Sequence, residues 1–385
     1  MQISKIKQLI HWGPLLALFI ILFVTSMAVV CTLVWWPPAM DDICSIIHLG
    51  TIFMWIFLIL YNFFQAAFLG PGFVPLKWKP ENPEDEKFLQ FCKICEGYKA
   101  PRSHHCRKCG RCVMKMDHHC PWINTCCGHT NHTRFIYFLF FAPAGCIHGA
   151  VIFIITIYHQ LYRSRYLYHV MSAKAWLTFT VYSFILTFFA LGLAIGVTLS
   201  VGFLFFAQLQ SIWYNETGIE TWIKEKADRP RDDEFIYPYD LGRKRNLLEI
   251  FRWEGTPRGD GITWPVVNGC NQYTLTIEQL QQKEEKRNRT MELTISENYS
   301  GSVFPITKGC KTCITAPCTD EPRITLYKGD IILVTRWKKY WLYGDKIIME
   351  NADGKQRVRG WFPRRCAKEM FNNGMDLTVG GKKEL

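Results

Sequence analysis

The chain has 385 residues, enough for two or three domains; it is 49% hydrophobic and 15% aromatic, with a formal net charge of +12. Half of its 16 cysteines fall between Cys92 and Cys127 with C-x-x-C spacing, which argues against a disulfide framework and for metal ligation in a reducing compartment. The apolar residues are gathered into long runs, so the basic excess reads as loops held on the cytosolic side of a membrane rather than as a nucleic-acid surface.

Four stretches are long and apolar enough to span a bilayer: residues 11–36, 46–69, 135–158 and 176–213. The first is too long for a cleaved signal, and Trp35-Trp36-Pro37-Pro38 is not a small-residue cleavage site. The fourth carries no charged residue and is longer than a ~30 Å hydrocarbon core requires, so it should tilt or project into the cytosol. Trp12, Trp35, Trp36, Trp176 and Trp213 stand at span ends, where interfacial aromatics belong. Lys5 and Lys7 precede the first span, Asp41 and Asp42 follow it, and residues 77–134 carry eleven Lys and Arg. The positive-inside rule then puts both termini and the Cys/His loop in the cytosol. On that topology the sequons at Asn131, Asn215, Asn288 and Asn298 should carry no glycan.

Beyond Trp213 the chain turns polar. Residues 277–290 read as a charged helix or linker. From about residue 301 to 368 short apolar runs such as Ile331-Ile332-Leu333-Val334 read as strands, with turns expected at Gly344-Asp345 and Asp353-Gly354.

The chemistry is concentrated between Cys92 and His132, which holds eight cysteines and six histidines. Zinc takes Cys and His in tetrahedral sets of four. Six cysteines besides Cys120 and Cys127, with one histidine from each His-His pair, fill two closed sites. Spacing alone leaves open the opposite choice, with Cys120 a ligand and Cys126 spare. Local geometry favours a free Cys120. In an extended segment His119 faces one side while His118 and Cys120 face the other. His118 could then take the Cys120 proton, and Asp117 could orient His118 if the chain bends there or if it meets only one imidazole nitrogen. The thiol lies fifteen residues ahead of Phe135, at the bilayer edge. An acyl-CoA, with a polar head and an apolar chain, suits that depth.

Asp117-His118-His119-Cys120, with the surrounding Cys/His spacing and four spans, resembles the DHHC-type protein S-acyltransferases (palmitoyltransferases) over roughly residues 1–251. The resemblance implies a multi-pass α-helical membrane enzyme with a cytosolic two-zinc domain. Palmitoyl-CoA would acylate Cys120, and the chain would pass to cysteines of substrate proteins; His118 would be the base and Asp117 its polarising partner. It implies zinc at Cys92, Cys95, His105 and Cys112, and at Cys106, Cys109, His119 and Cys126, which makes His104 and Cys127 spares. The family's Thr-Thr-x-Glu motif appears as Thr217-Gly218-Ile219-Glu220, with Gly replacing the second Thr and one expected hydrogen bond weakened. Asn246 matches the asparagine that holds the third and fourth spans against the site. Gly145 and Gly149 suit close helix packing or room for an acyl chain. Arg102, Lys115 and Arg134 could meet CoA phosphates, although isolated basic residues are usually solvated.

Thr325 to Ile331, Tyr340-Trp341 and Gly360-Trp361-Phe362-Pro363 resemble a Src-homology-3-like small β-barrel, with Cys366 where the groove tyrosine usually stands. An endoplasmic-reticulum group of the family carries such a domain, which implies regulation or an accessory protein there rather than PxxP binding. Cys310, Cys313 and Cys318 lack a second ligand pair and read as free or S-acylated thiols. Lys382-Lys383-Glu384-Leu385 fits a cytosolic dilysine retrieval signal for the endoplasmic reticulum. The chain thus divides into two spans (1–76), the cysteine-rich catalytic domain (77–134), two further spans (135–213), a juxtamembrane segment (214–300), the barrel (301–370) and the tail (371–385). A non-enzymatic zinc adaptor or ubiquitin-ligase-like scaffold is the competing function. A transporter is disfavoured, because the span interiors hold no charged residue.

Overall fold

The computed structural model describes residues 7–35, 43–162, 181–228, 235–251, 257–319, 321–347 and 357–369. The Asp41-Asp42 loop, Trp176, the Asp353-Gly354 turn and the dilysine ending lie outside these residues. The chain forms two compact units, 1–280 and 281–385.

Among the described residues the first unit holds four helices long and apolar enough to cross a membrane: α1 (Trp12–Trp35), α2 (Ile43–Phe68), α3 (His132–Leu161) and α4 (Val181–Trp213). None has a polar face, so each must be covered by lipid or by a neighbouring helix. Helix α3 packs on the other three. A Cβ at Gly145 would stand 3.1 Å from Ile59 Cδ1 and 3.4 Å from Trp55 Cβ, so this glycine brings α3 close to α2. Gly149 has ordinary clearance and borders a cavity between the helices.

Between α2 and α3 lie three small hairpins: β1 (Phe91–Cys92) with β2 (Gly97–Tyr98), β3 (His104–Cys106) with β4 (Arg111–Val113), and β5 (His118–Cys120) with β6 (Thr125–Cys127). They have almost no apolar core of their own; their buried side chains are largely the cysteines. After α4 come α5 (Gly218–Ala227), α6 (Arg243–Ile250) and α7 (Thr274–Asn288). The sequons at Asn131 and Asn215 are both buried and engaged in hydrogen bonds.

In the second unit, β7 (Met291–Ile295), β10 (Ile331–Trp337), β11 (Trp341–Ile347), β12 (Arg357–Pro363) and β13 (Ala367–Glu369) make an antiparallel sheet in the order β12-β11-β10-β7-β13. Strands β8 (Tyr299–Ser300) and β9 (Thr325–Leu326) pair beside it, and α8 (Cys310–Ile314) lies between them in sequence. The sheet is a half-barrel around Leu326, Ile332, Val334, Trp341 and Phe362. Two expectations need correction. The β region starts at Met291, not 301, because a short alternating run directly after the charged helix α7 is a strand that pairs with both β10 and β13. Gly344-Asp345 is no turn: it lies inside β11, with Gly344 opposite Val334 and Gly360. A Cβ at Gly344 would stand 2.8 Å from Leu333 O, and buried Asp345 is satisfied by Arg359, so glycine and aspartate here serve close strand approach and an ion pair. Cys366 is fully buried in the core rather than lining a groove.

Candidate active site and metal centres

Each cluster of ligating side chains is built from two successive hairpins. Cys92 and Cys95 come from the first, while His105 and Cys112 face each other across β3 and β4. Cys106 and Cys109 come from the second, while His119 and Cys126 face each other across β5 and β6. A tight turn supplies the C-x-x-C pair, and the next hairpin supplies a cross-strand His/Cys pair. In both clusters the four ligand atoms lie within 4.8 Å of one another. In the first, His105 Nδ1 is 3.4 Å from the Sγ atoms of both Cys92 and Cys95. In the second, His119 Nδ1 is 3.4 Å from Cys109 Sγ and 3.6 Å from Cys106 Sγ. Three thiols and one imidazole is the donor set of a closed structural zinc site, so the residues fit the metal.

Strand β5 turns His119 towards the second cluster and His118 and Cys120 to its other side. Asp117 precedes the strand, and its Oδ2 meets His118 Nδ1 at 2.6 Å. Asp117 thus meets a single imidazole nitrogen of His118, which leaves Nε2 for Cys120. Asp117 is held by two more donors: Gly218 N at 2.7 Å and Gln208 Nε2 at 3.0 Å. Replacement of Thr by Gly at 218 thus leaves the carboxylate a short bond from the backbone amide.

The electrostatics follow from these contacts. Burial opposes ionisation of Asp117, but His118 and the Gly218 amide hold its carboxyl well below the usual carboxylate range. Burial pulls His118 down, and its bonds to Asp117 and Cys120 outweigh that, leaving it at about 10. A hydrogen bond with Cys127, which faces His118 across the hairpin, draws the Cys120 thiol down; burial opposes it, and with His118 and the Ile123 amide the thiol reaches about 5. Burial and the neighbouring Cys120 push the Cys127 thiol up. At neutral pH these shifts describe a thiolate beside an imidazolium. Cys127, a spare in the ligand set the resemblance implies, is the largest influence on the Cys120 thiol.

Arg102 and Lys115 do not face solvent. Both are buried. Arg102 Nε and Nη2 donate to Glu220 Oε1 and Oε2, each at 2.7 Å, and its Nη2 also reaches Asn215 O at 2.6 Å. Its guanidinium lies over Tyr239 and Trp264. Lys115 donates to Asn215 Oδ1 at 2.8 Å; burial and the nearby Arg102 charge pull it down to about 7. Thr217 and Glu220 form a reciprocal capping box at the start of α5, which carries Gly218 to Asp117. Asn246 Nδ2 donates to Trp213 O at 2.8 Å and to Asp240 Oδ1 at 2.7 Å, fastening the end of α4 to the loop ahead of α6. Thr133 Oγ1 donates to Ile250 O and links α3 to the same region. Removing one partner of a buried, bidentate ion pair strands the other charge. Arg102→Ala should therefore lower unfolding stability by about 3–5 kcal/mol, measured by thermal or denaturant unfolding of the solubilised protein.

A cavity of about 490 Å³ opens between the four helices. Cys120, Trp122 and Phe135 stand on its wall, and most other lining side chains are aliphatic or aromatic. Gly145, Gly149, Gly192 and Gly196 also border it. In the second unit Cys310 and Cys318 are exposed and Cys313 is half-buried.

Residues 85–225 match the family model of DHHC palmitoyltransferase. The chain is 50% identical over 385 residues to Palmitoyltransferase ZDHHC6 of Homo sapiens, covering 96% of this chain and 93% of that protein. It is 49% identical over 406 residues to Palmitoyltransferase ZDHHC6 of Danio rerio, covering 100% of this chain and 97% of the fish protein. It is 34% identical over 204 residues to Probable protein S-acyltransferase 16 of Arabidopsis thaliana, covering 50% of this chain and 68% of the plant protein. With near-complete coverage at half identity, and with an Asp-His-His-Cys segment whose His119 belongs to one of two zinc-type clusters and whose Cys120 lies on the wall of an apolar cavity, the chain belongs to the DHHC palmitoyltransferase family.

Proposed function

We propose that this membrane protein is a protein S-palmitoyltransferase that uses long-chain acyl-CoA as donor and Cys120 as carrier. The observation that carries the reading is the line Asp117–His118–Cys120 ending on the wall of the apolar cavity. The Cys120 thiolate attacks the thioester carbonyl; the bond to the CoA sulfur breaks, and that sulfur leaves with the proton from His118. In the second half, a substrate cysteine gives its proton to His118 and attacks the acyl-Cys120 carbonyl, and Cys120 leaves as thiolate. Asp117 keeps Nδ1 of His118 occupied, so Nε2 carries the proton in both halves. The cavity holds the acyl chain out of water, with Gly149 leaving it room. Zinc bound at the two clusters supplies cross-links between hairpins that lack a core, and so fixes β5. Thr217, Glu220 and Asn246 brace the site.

The test is transfer of a clickable long-chain acyl group from its CoA ester to the enzyme and then to a cysteine peptide. The label should be released by hydroxylamine; a label resistant to hydroxylamine, or none, refutes the reading.

The cytosolic face, the endoplasmic-reticulum address and the accessory role of the half-barrel belong to the same proposal. Positive-inside charge supports the topology. The ending Lys382-Lys383-Glu384-Leu385 supports retrieval. Cys310, Cys313 and Cys318 are reachable for S-acylation of the enzyme itself. Replacing Lys382 and Lys383 by Ser should release the protein towards later compartments with acyl transfer intact, and moving both lysines a few residues inward should do the same. Unchanged localisation by microscopy in both variants would place retention in the spans.

A further inference from the structure

The turn that follows the reactive cysteine is held from the far end of the chain. Gln8 Nε2 donates to Ile123 O at 3.1 Å and to Ala67 O at 3.0 Å. Asn124 Nδ2 returns a bond to Gln8 O at 3.0 Å. Asn124 itself sits at φ 48°, a left-handed conformation that asparagine tolerates, and its N–H closes the turn on Pro121 O at 3.3 Å. Gly13 completes the contact. A Cβ there would stand 2.0 Å from Pro121 O and 2.7 Å from Pro121 C, so only glycine lets the start of α1 lie on this turn. Trp12 packs edge-on against Trp122, with ring centroids 5.7 Å apart, and Trp122 lines the cavity.

The turn matters because it begins at the residue after Cys120 and carries Trp122, which lines the same cavity as Cys120. The carbonyl of Ile123, in the middle of the turn, is the one that Gln8 holds. We infer that residues 8–13 are a strap that positions the nucleophile turn, with Gln8 and Gly13 as positioning residues for acyl loading of Cys120. The inference rests on the Cys120 carrier reading above. Gln8 touches neither the acyl chain nor the sulfur; it acts through Ile123. Nothing in the strap reaches the zinc-type clusters, so its loss should leave metal content alone.

The experiment measures single-turnover loading of the full-length protein in detergent with clickable palmitoyl-CoA, as rate constant and as half-saturating concentration. Gln8→Glu keeps the side-chain shape and removes both donated bonds. Asn124→Asp keeps the residue type that tolerates the left-handed turn and removes the returned bond. Each should slow the loading rate constant about five-fold, the range of one or two hydrogen bonds, with half-saturation, zinc content and unfolding midpoint near wild type. Gly13→Ala should slow it further by displacing Pro121; should that variant fail to fold, the other two carry the test. Gln8→Arg, which restores a donor, should recover part of the rate. Wild-type loading in Gln8→Glu and Asn124→Asp overturns the inference, as does a rise in half-saturation at constant rate, which would make the strap part of the cavity entrance only. A wild-type protein that loads at another residue would instead overturn the carrier reading, so the two failures are distinguishable.

Discussion

Cys120→Ser should abolish both hydroxylamine-sensitive self-acylation and transfer to a substrate peptide, a loss on the order of 10³-fold or more, while zinc stays near two per chain. The first half follows from chemistry. A serine hydroxyl at this position has no thiolate to offer, and the surroundings that draw the Cys120 proton off cannot ionise an alcohol. The second half follows from geometry. Cys120 pairs with Thr125 in β5–β6, whereas His119 and Cys126, one residue along each strand, face the second cluster. Elemental analysis of the purified variant checks the point. A fall to one zinc per chain would make Cys120 a ligand and remove the carrier mechanism, whatever the activity did.

Exchanging either histidine for alanine should separate the two faces of one strand. His118→Ala removes the group between Asp117 and Cys120, and should slow acyl loading about 10²–10⁴-fold, the range of a lost general acid–base group, with zinc and folding retained. His119→Ala removes a donor whose Nδ1 lies 3.4 Å from Cys109 Sγ and 3.7 Å from Cys126 Sγ. It should cost one zinc and much of the fold of the hairpins, because metal binding there is folding free energy. Zinc content and protease resistance, measured beside loading, distinguish the two. Interchangeable phenotypes would mean that β5 does not divide its side chains as described.

The features legible in the amino-acid sequence were those with a local cause. Long runs without a polar face can only be spans, and all four helices appear within a few residues of the expected stretches among the described residues. C-x-x-C pairs announce zinc because a tight turn brings two sulfurs together. The two sides of His118-His119-Cys120 follow from the period of an extended strand. Even the strand at Met291 was missed for a local reason: its alternation is short, and it follows a charged helix without a turn signal.

What only tertiary structure decided involves partners far apart in the chain. Arg102 and Glu220 are 118 positions apart, Gln208 and Asp117 91, and Gln8 and Ile123 115. Sequence shows Arg102 and Lys115 as two charges in a basic loop; burial beneath Tyr239 and Trp264 turns them into the fastening of the juxtamembrane segment. Cys127 looked spare because ligand counting has no place for a neutral thiol beside a thiolate. The cavity, too, exists only once the other three helices converge on α3, since no single helix encodes the space it leaves. Residue type and spacing determined which atoms could bind metal or attack a thioester. The long-range packing determined which of them are held still, charged and next to an apolar space, because those properties come from desolvation and contact, which a linear pattern does not contain.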